Sequence, residues 1–210
     1  MSDKTQIGRL PERGVTDREV LNSILDEGIV CHVAYVVDDR PVGIPTLYVR
    51  AGDRILVHGS NSAGFVRAAR DGKPLCVTVT HLDGIVVARS GFHSSANYRS
   101  AVIHGTGRVL EGEEHWTGLD LTVEGLIPGR ASDLRSPSES ESKQTSVIEI
   151  MLDEWSVKTR SGGPGDDPAD MSSDAWAGVV PLSVVAGDPI PSEDLADGIE
   201  VPDYLSHYSR

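Results

Sequence analysis

Between His58 and Arg70 the chain reads HGSNSAGFVRAAR, and Ser60, Asn61 and Ser62 crowd two hydroxyls and an amide into one turn. An alternating apolar segment, 54–58, runs into this turn. A short helical segment, 65–69, leaves it and stops at Asp71-Gly72. Unpaired N–H groups at a helix start, with the helix dipole behind them, favour an anion. We read the turn 59–64 as the holder of a phosphate on a flat cofactor. The competing reading is a plain capped turn, because Ser and Asn favour N-caps in any protein.

Other residues of chemical interest are weaker on their own. His58 could donate to a phosphate or simply pack at a strand end. His81, His93 and His104 are spaced 12 and 11 residues apart, which is not a compact ligand motif, and no CxxC accompanies them. No metal site is therefore expected. His81 beside Asp83 could pass protons, although HLDG also reads as a turn. Arg99 could grip an anion with both guanidinium edges or form a structural ion pair. Trp176 could stack on a ring, but covering the barrel is the favoured reading. Ser94 and Ser95 lack a GxSxG setting, so a hydrolase nucleophile is unsupported. No residue is singled out as catalytic.

The elements that must position these residues are mostly strands. Thr16 reads as an N-cap, with Glu19 three residues on, opening a helix that Gly28 ends. Segments 29–37, 42–50 and 54–58 follow as an antiparallel meander, with 38–41 as its first turn. Pro45 argues for an edge or a bulge in the second of these. Strands are expected at 75–80, 85–88, 100–104 with an extension over 106–111, and 146–152, the last followed or continued by 153–159. A helix is expected at 113–126. About six antiparallel strands at hairpin spacing with a few flanking helices make a mainly β (α+β) fold, a small barrel. A dinucleotide fold is disfavoured, since no GxGxxG follows a strand.

Composition narrows the partners. The chain has 210 residues, 39% apolar, and a formal net charge of −13. Nucleic acid and anionic membranes are poor partners for such a surface. No apolar run approaches the roughly 18 residues of a membrane span, and the first residues lack an apolar signal core. Cys31 and Cys76 lie in strand-like runs and read as two reduced thiols, with a disulfide left open. A cytoplasmic protein is expected. Residues 1–14 read as a lead-in, 15–185 as one domain with 131–146 as a mobile excursion, and 186–210 as a tail.

In order, LVHGSNSAGF, PLCVTVTHLDGIVVARSGFHSSANYRSAVIHGTGRV, SVKTRSGGPGDD and WAGVVPL resemble the pyridoxamine 5′-phosphate oxidase-like family. Within it they resemble the flavin-nucleotide-binding branch that includes nitroimidazole-resistance proteins. The resemblance spans about residues 14–185. It implies a split β-barrel and a homodimer, with flavin mononucleotide (FMN) at the subunit interface and a small-molecule substrate over the ring. By the same resemblance, His58, Gly59 and Ser60 line the flavin phosphate and ribityl chain, and Ser62, Ala63, Gly64 and Phe65 hold the phosphate. Pro45, Thr46 and Leu47 lie against the flavin. Tyr98, Arg99 and Ser100 start the strand flanking the ring, and Lys158 and Arg160 reach the cofactor, from a partner subunit if need be. The turn departs from the family's oxidases, which often place Arg and Lys there; here the nearest cation is Arg67. The function implied is a flavin-dependent oxidoreductase. The alternatives are a non-catalytic flavin or haem binder, with His58, His81 or His93 as axial ligand, and a deazaflavin-dependent reductase.

Overall fold

The structure is a computed structural model that describes residues 5–209; the first four residues of the expected lead-in lie outside it. Ten strands, all paired antiparallel, form one sheet in the order β1-β9-β6-β5-β2-β3-β4-β8-β7, with β10 added beside β5. The strands are β1 (Gly14–Val15), β2 (Val30–Val37), β3 (Arg40–Arg50), β4 (Arg54–Ser60), β5 (Pro74–Val87), β6 (Ser95–Thr106), β7 (Arg108–Val109), β8 (Thr145–Met151), β9 (Glu154–Arg160) and β10 (Gly178–Pro181). The helices are α1 (Arg18–Glu27), α2 (Gly64–Arg70), α3 (Gly112–Leu126), α4 (Glu139–Gln144) and α5 (Asp203–Ser206).

The sheet closes because β7 continues β6. Only Gly107 separates them, yet β6 pairs with β5 and β9 while β7 pairs with β8. A Cβ on Gly107 would stand 2.7 Å from Ile148 and 3.0 Å from Ala69, so only glycine lets the strand cross from one half of the barrel to the other. The ring β5-β2-β3-β4-β8-β7/β6 has six members, and these are the strands that the alternation announces. The strand total exceeds the expected six because β1, β7, β9 and β10 are counted too.

Period-2 alternation sorts the side chains. Inward residues such as Cys31, Val33, Tyr48, Ile55, Val57, Val77, Val79, Ala101, Ile103, Ile148, Ile150 and Val157 are buried in one core. Leu21, Ile24 and Leu25 of α1 join this core, at positions that put them on one helical face. The buried Tyr48 hydroxyl donates to Leu25 O at 2.8 Å and pins the helix there. α3 lies outside the ring, over β3, β4 and β8, where Val49, Leu56, Leu110 and Val147 make a second, smaller core.

Four local expectations are corrected. Asp17, not Thr16, caps α1: its carboxylate accepts from Glu19 N at 2.9 Å. Asp is as good a cap as Thr or better, and a complete capping box occurs instead at Ser138 and Glu141, opening α4 inside the 131–146 excursion. The 38–41 turn is only two residues long: Asp38 and Asp39 both take positive φ, 47° and 59°, and Val37 pairs with Arg40. HLDG is not a turn. β5 runs straight through it with a register shift between Leu82 and Gly84, so the expected strands 75–80 and 85–88 are one. Likewise β6 begins at Ser95, and Tyr98, Arg99 and Ser100 lie inside it rather than at its start. Pro45 does lie at an edge of sorts: β4 pairs only residues 48–50 of β3, so that side of β3 is open beside Pro45.

Replacing Gly107 by Ala should cost about 1–3 kcal/mol, the usual range for overpacking a tight site. Gly43 in β3 has open space around its missing Cβ, so Gly43→Ala should leave stability unchanged or slightly raised. Urea unfolding of the two variants beside the parent protein checks both.

Candidate cofactor site

Direct cross-strand partners in an antiparallel sheet share a face, and so do residues two apart. Pro45 pairs with His32, His32 with Thr78, Thr80 with Ser100, Ser100 with Lys158, Leu82 with Tyr98, and Tyr98 with Arg160. Leu47 extends this face along β3. Tyr48 and Val57 pair on the inner side, which puts the neighbouring His58, and Ser60 two residues on, outside as well. Pro45, Leu47, His58, Ser60, Tyr98, Ser100, Lys158 and Arg160 are therefore on one outer face of the barrel. Val30, Leu47 and Leu82 leave a half-exposed apolar strip between them.

Thr46, Gly59 and Arg99 are not on it. Thr46 pairs with the buried Cys31 and faces inward. Gly59 lies under Phe65: a Cβ there would meet the Phe65 ring at 2.7 Å. Gly64 is needed in the same way, because a Cβ would run into the Tyr35 hydroxyl. The two glycines thus serve the seating of α2, with Phe65 and Val66 buried beneath it. Arg99 is bound on two sides, to both Asp83 oxygens at 2.8–3.3 Å and to both Glu27 oxygens. That commits its guanidinium to a structural ion pair. His81 turns away from Asp83: its Nε2 is 2.9 Å from Ile24 O and its Nδ1 is 3.9 Å from Glu27. The proposed His81–Asp83 proton pair is not formed.

The outer-face residues fall into two groups. The first is the turn: Ser60 and Ser62 hydroxyls lie 3.0 Å apart, and Ala63 and Gly64 open α2. Arg70, not Arg67, serves this turn, donating to Asn61 Oδ1 at 2.8 Å and to Ser146 Oγ at 2.9 Å. Asn61 in turn donates to Lys143 O at 2.5 Å. The second group is on β6 and β9. Lys158 Nζ donates to Arg9 O at 2.6 Å, and Arg160 donates to Asn97, Gly162 O and Gly163 O. Among the described residues neither cation has a carboxylate partner. From β4 to β9 through β3, β2, β5 and β6 there are five strand spacings, roughly 24 Å along the sheet. The shorter way, through β8, does not make them neighbours either. Outward side chains of a closed ring diverge, so one chain does not bring the two groups onto one ligand.

A cavity of about 630 Å³ opens beside the first group, between β4, α3 and the excursion. Leu119, Val123, Leu134 and Pro137 give it apolar walls, Arg135 and Glu141 a polar rim, and His58 a floor. His58 Nδ1 is buried with no partner among the described residues. Burial holds the His58 imidazole below its ordinary pKa of 6.5, which favours the neutral form at pH 7. A second cavity of about 510 Å³ lies across Thr145, lined by Arg70, Lys143, His115 and Trp116. His115 Nε2 is likewise buried and unpartnered. Sequence reasoning missed Arg70, His115 and both cavities; their walls come from α3 and the excursion, and no local pattern marks them. Trp176 lines neither of these two cavities. Its ring folds across Gly178 and stays 65% exposed.

The family model for pyridoxamine 5′-phosphate oxidase matches residues 17–159. This chain belongs to that family. The FAD and haem binding protein from Mycobacterium smegmatis is 38% identical over 92% of this chain and 95% of its own, with a TM-score of 0.88. The flavocytochrome Anf3 from Azotobacter vinelandii is 32% identical over 97% of this chain and 95% of its own, with a TM-score of 0.92. A protein assigned to 5-nitroimidazole antibiotic resistance in Bacteroides thetaiotaomicron shares the fold, at 19% identity over 69% of this chain and 85% of its own, with a TM-score of 0.58. No curated protein matches the chain. The mainly antiparallel split barrel expected of this family is the fold observed. No described helix is long and apolar enough to cross a membrane.

Because the folded His58 has a lowered pKa, the unfolded chain takes up its proton first as pH falls. Stability should therefore drop below about pH 6.5, the unfolded value. His58→Asn should flatten that part of the profile; chemical denaturation at pH 5.5 and 7.5 for both proteins reads it out.

Proposed function

We propose that the protein is a flavin-binding redox protein acting as a homodimer. The flavin mononucleotide unit, free or as half of FAD, spans the turn of one copy and Lys158 and Arg160 of the other. The observation that carries this reading is the division of the outer-face residues into two groups, one with hydroxyl and N–H donors and one with two cations lacking carboxylates. A phosphorylated ring system needs both. α2 has only seven residues and adds little dipole, so charge balance falls to the cations. The half-exposed strip of Val30, Leu47 and Leu82 offers the flat apolar wall that an isoalloxazine requires. Family membership and the flavin-binding relatives support the same assignment.

Bound flavin supplies the hydride and electron chemistry itself. The chain's share is to hold the phosphate with Ser60, Ser62 and the N–H groups at the start of α2, and to keep water off the ring with the apolar strip. With that chemistry supplied by a flavin, an oxidoreductase acting on a small acceptor is the activity we infer. The two cysteines are free, in keeping with a reducing, cytoplasmic setting.

Protein purified from cells should be yellow, should run as a dimer in light scattering, and should release a flavin whose mass tells FMN from FAD. Arg160→Gln should weaken flavin binding about tenfold, the loss of one charge-assisted contact. Colourless protein that ignores added FMN and FAD would sink the reading; tighter binding of a deazaflavin would redirect it.

A second ligand has its own support. The His58 cavity has apolar walls and one neutral, unpartnered imidazole, which suits haem iron as an axial ligand. A relative 38% identical is named as binding FAD and haem. We infer that haem occupies this cavity. His58→Ala should abolish the Soret band; an unaltered Soret band in that variant would reject His58 as the ligand.

A further inference from the structure

We propose that His93, Asp167 and Asp170 form a site for a divalent transition cation of the zinc class. None of the three lines either cavity. His93 is on the loop that joins β5 to β6; Asp167 and Asp170 lie on the 3₁₀ turn Pro168–Ser172 and its cap, after β9. One ligand atom from each side chain comes within 4.8 Å of the others. His93 Nε2 is already 3.2 Å from Asp167 Oδ2.

The geometry has a local cause. A 3₁₀ helix has three residues per turn, so side chains at i and i+3 eclipse. Asp167 and Asp170 are three apart, Pro168 starts the turn, and Asp170 N donates to Asp167 O at 2.9 Å. Both carboxylates are thereby stacked on one side. The facing loop is held by Ser94, whose hydroxyl accepts from Ala88 N and donates to Ser90 O, each at 3.2 Å. The exposed Phe92 ring lies edge-on to the His93 ring, centroids 5.1 Å apart. Next to the cluster, Asp166 takes both the N–H and the guanidinium of Arg89, at 2.8 and 2.7 Å. Arg89 is therefore turned to Asp166, and among the described residues no Lys or Arg pairs with Asp167 or Asp170.

One imidazole and two carboxylates cancel the charge of a divalent ion and leave positions for water. The imidazole selects against Mg²⁺ and Ca²⁺, which prefer all-oxygen sites. A bound ion would staple the β5–β6 loop to the segment whose Gly162 and Gly163 carbonyls hold Arg160. The site stands whether or not the flavin reading does.

The test uses the full chain, stripped with a chelator and titrated with ZnCl₂ by calorimetry. The parent protein should take up one more Zn²⁺ than His93→Gln or Asp170→Asn, or bind it at least tenfold more tightly, with MgCl₂ a poor competitor. His207→Ala, a change at an exposed histidine elsewhere, should bind as the parent does. Equal stoichiometry and affinity in parent and both site variants would overturn the proposal. Should the variants fold poorly, protection in the parent decides: ZnCl₂ should shield His93 from diethyl pyrocarbonate, mapped by mass spectrometry. Unchanged modification of His93 would overturn the proposal too.

Discussion

The molecule depends on one geometric condition: a single antiparallel sheet must meet its own end. Gly107 makes that possible, since any side chain there would push into Ile148 and Ala69. Once the ring is closed, alternation has only two destinations, a sealed interior and an outer surface. The interior is filled by Val, Ile and Leu from most strands, with Tyr48 from β3 and one face of α1. The outer surface receives most of the candidate cofactor residues, among them His58, Ser60, Lys158 and Arg160. A single slip of register would exchange the two, which is why the long β5–β6 ladder, from Pro74 to Val86, matters so much.

The outer surface is not uniform. α3 and the 131–146 segment cover β3, β4 and β8 and turn that side into cavities. The other side, over β2, β5, β6 and β9, stays open. His58 lies at the seam. It is half-buried beside α3, its pKa is lowered by burial, and its Nδ1 has no partner among the described residues. On the open side, Arg160 is held only by carbonyl and amide oxygens. Among the described residues it has no carboxylate partner, although the protein's net charge is −13.

Much of this was legible in the sequence, for identifiable reasons. The meander 29–58 is made of apolar-rich runs joined by tight turns, and three such runs in about thirty residues leave few other folds. The polar turn after His58 stood out because Ser-Asn-Ser between a strand and a helix is locally unusual. HLDG misled because Asp-Gly is a turn signal; only the partner strand shows that Asp83 is a bulge whose carboxylate answers Arg99. Thr16 misled because two capping residues stand side by side. Arg99 was ambiguous by nature, since ion pairing and anion binding use the same fork. Arg70 and His115 were invisible, because what brings them to Asn61 and Thr145 is the return of β8 alongside β4, nearly ninety residues later in the chain. The split of the site into two groups could be stated only once the strand order was known.

The two thiols sit on adjacent strands but on opposite sides of the sheet: Cys31 points into the core, while Cys76 pairs with His104 and looks outward. Burial pushes the Cys31 thiol up to about 12 and raises Cys76 to a lesser degree. The chain thus carries its own matched pair of chemical sensors. An alkylating reagent meets Cys76 only as fast as the exterior of the barrel is uncovered, whereas Cys31 stays silent until the whole domain opens. The ratio of the two labelling rates separates docking on the sheet's exterior from global unfolding, with no engineered label.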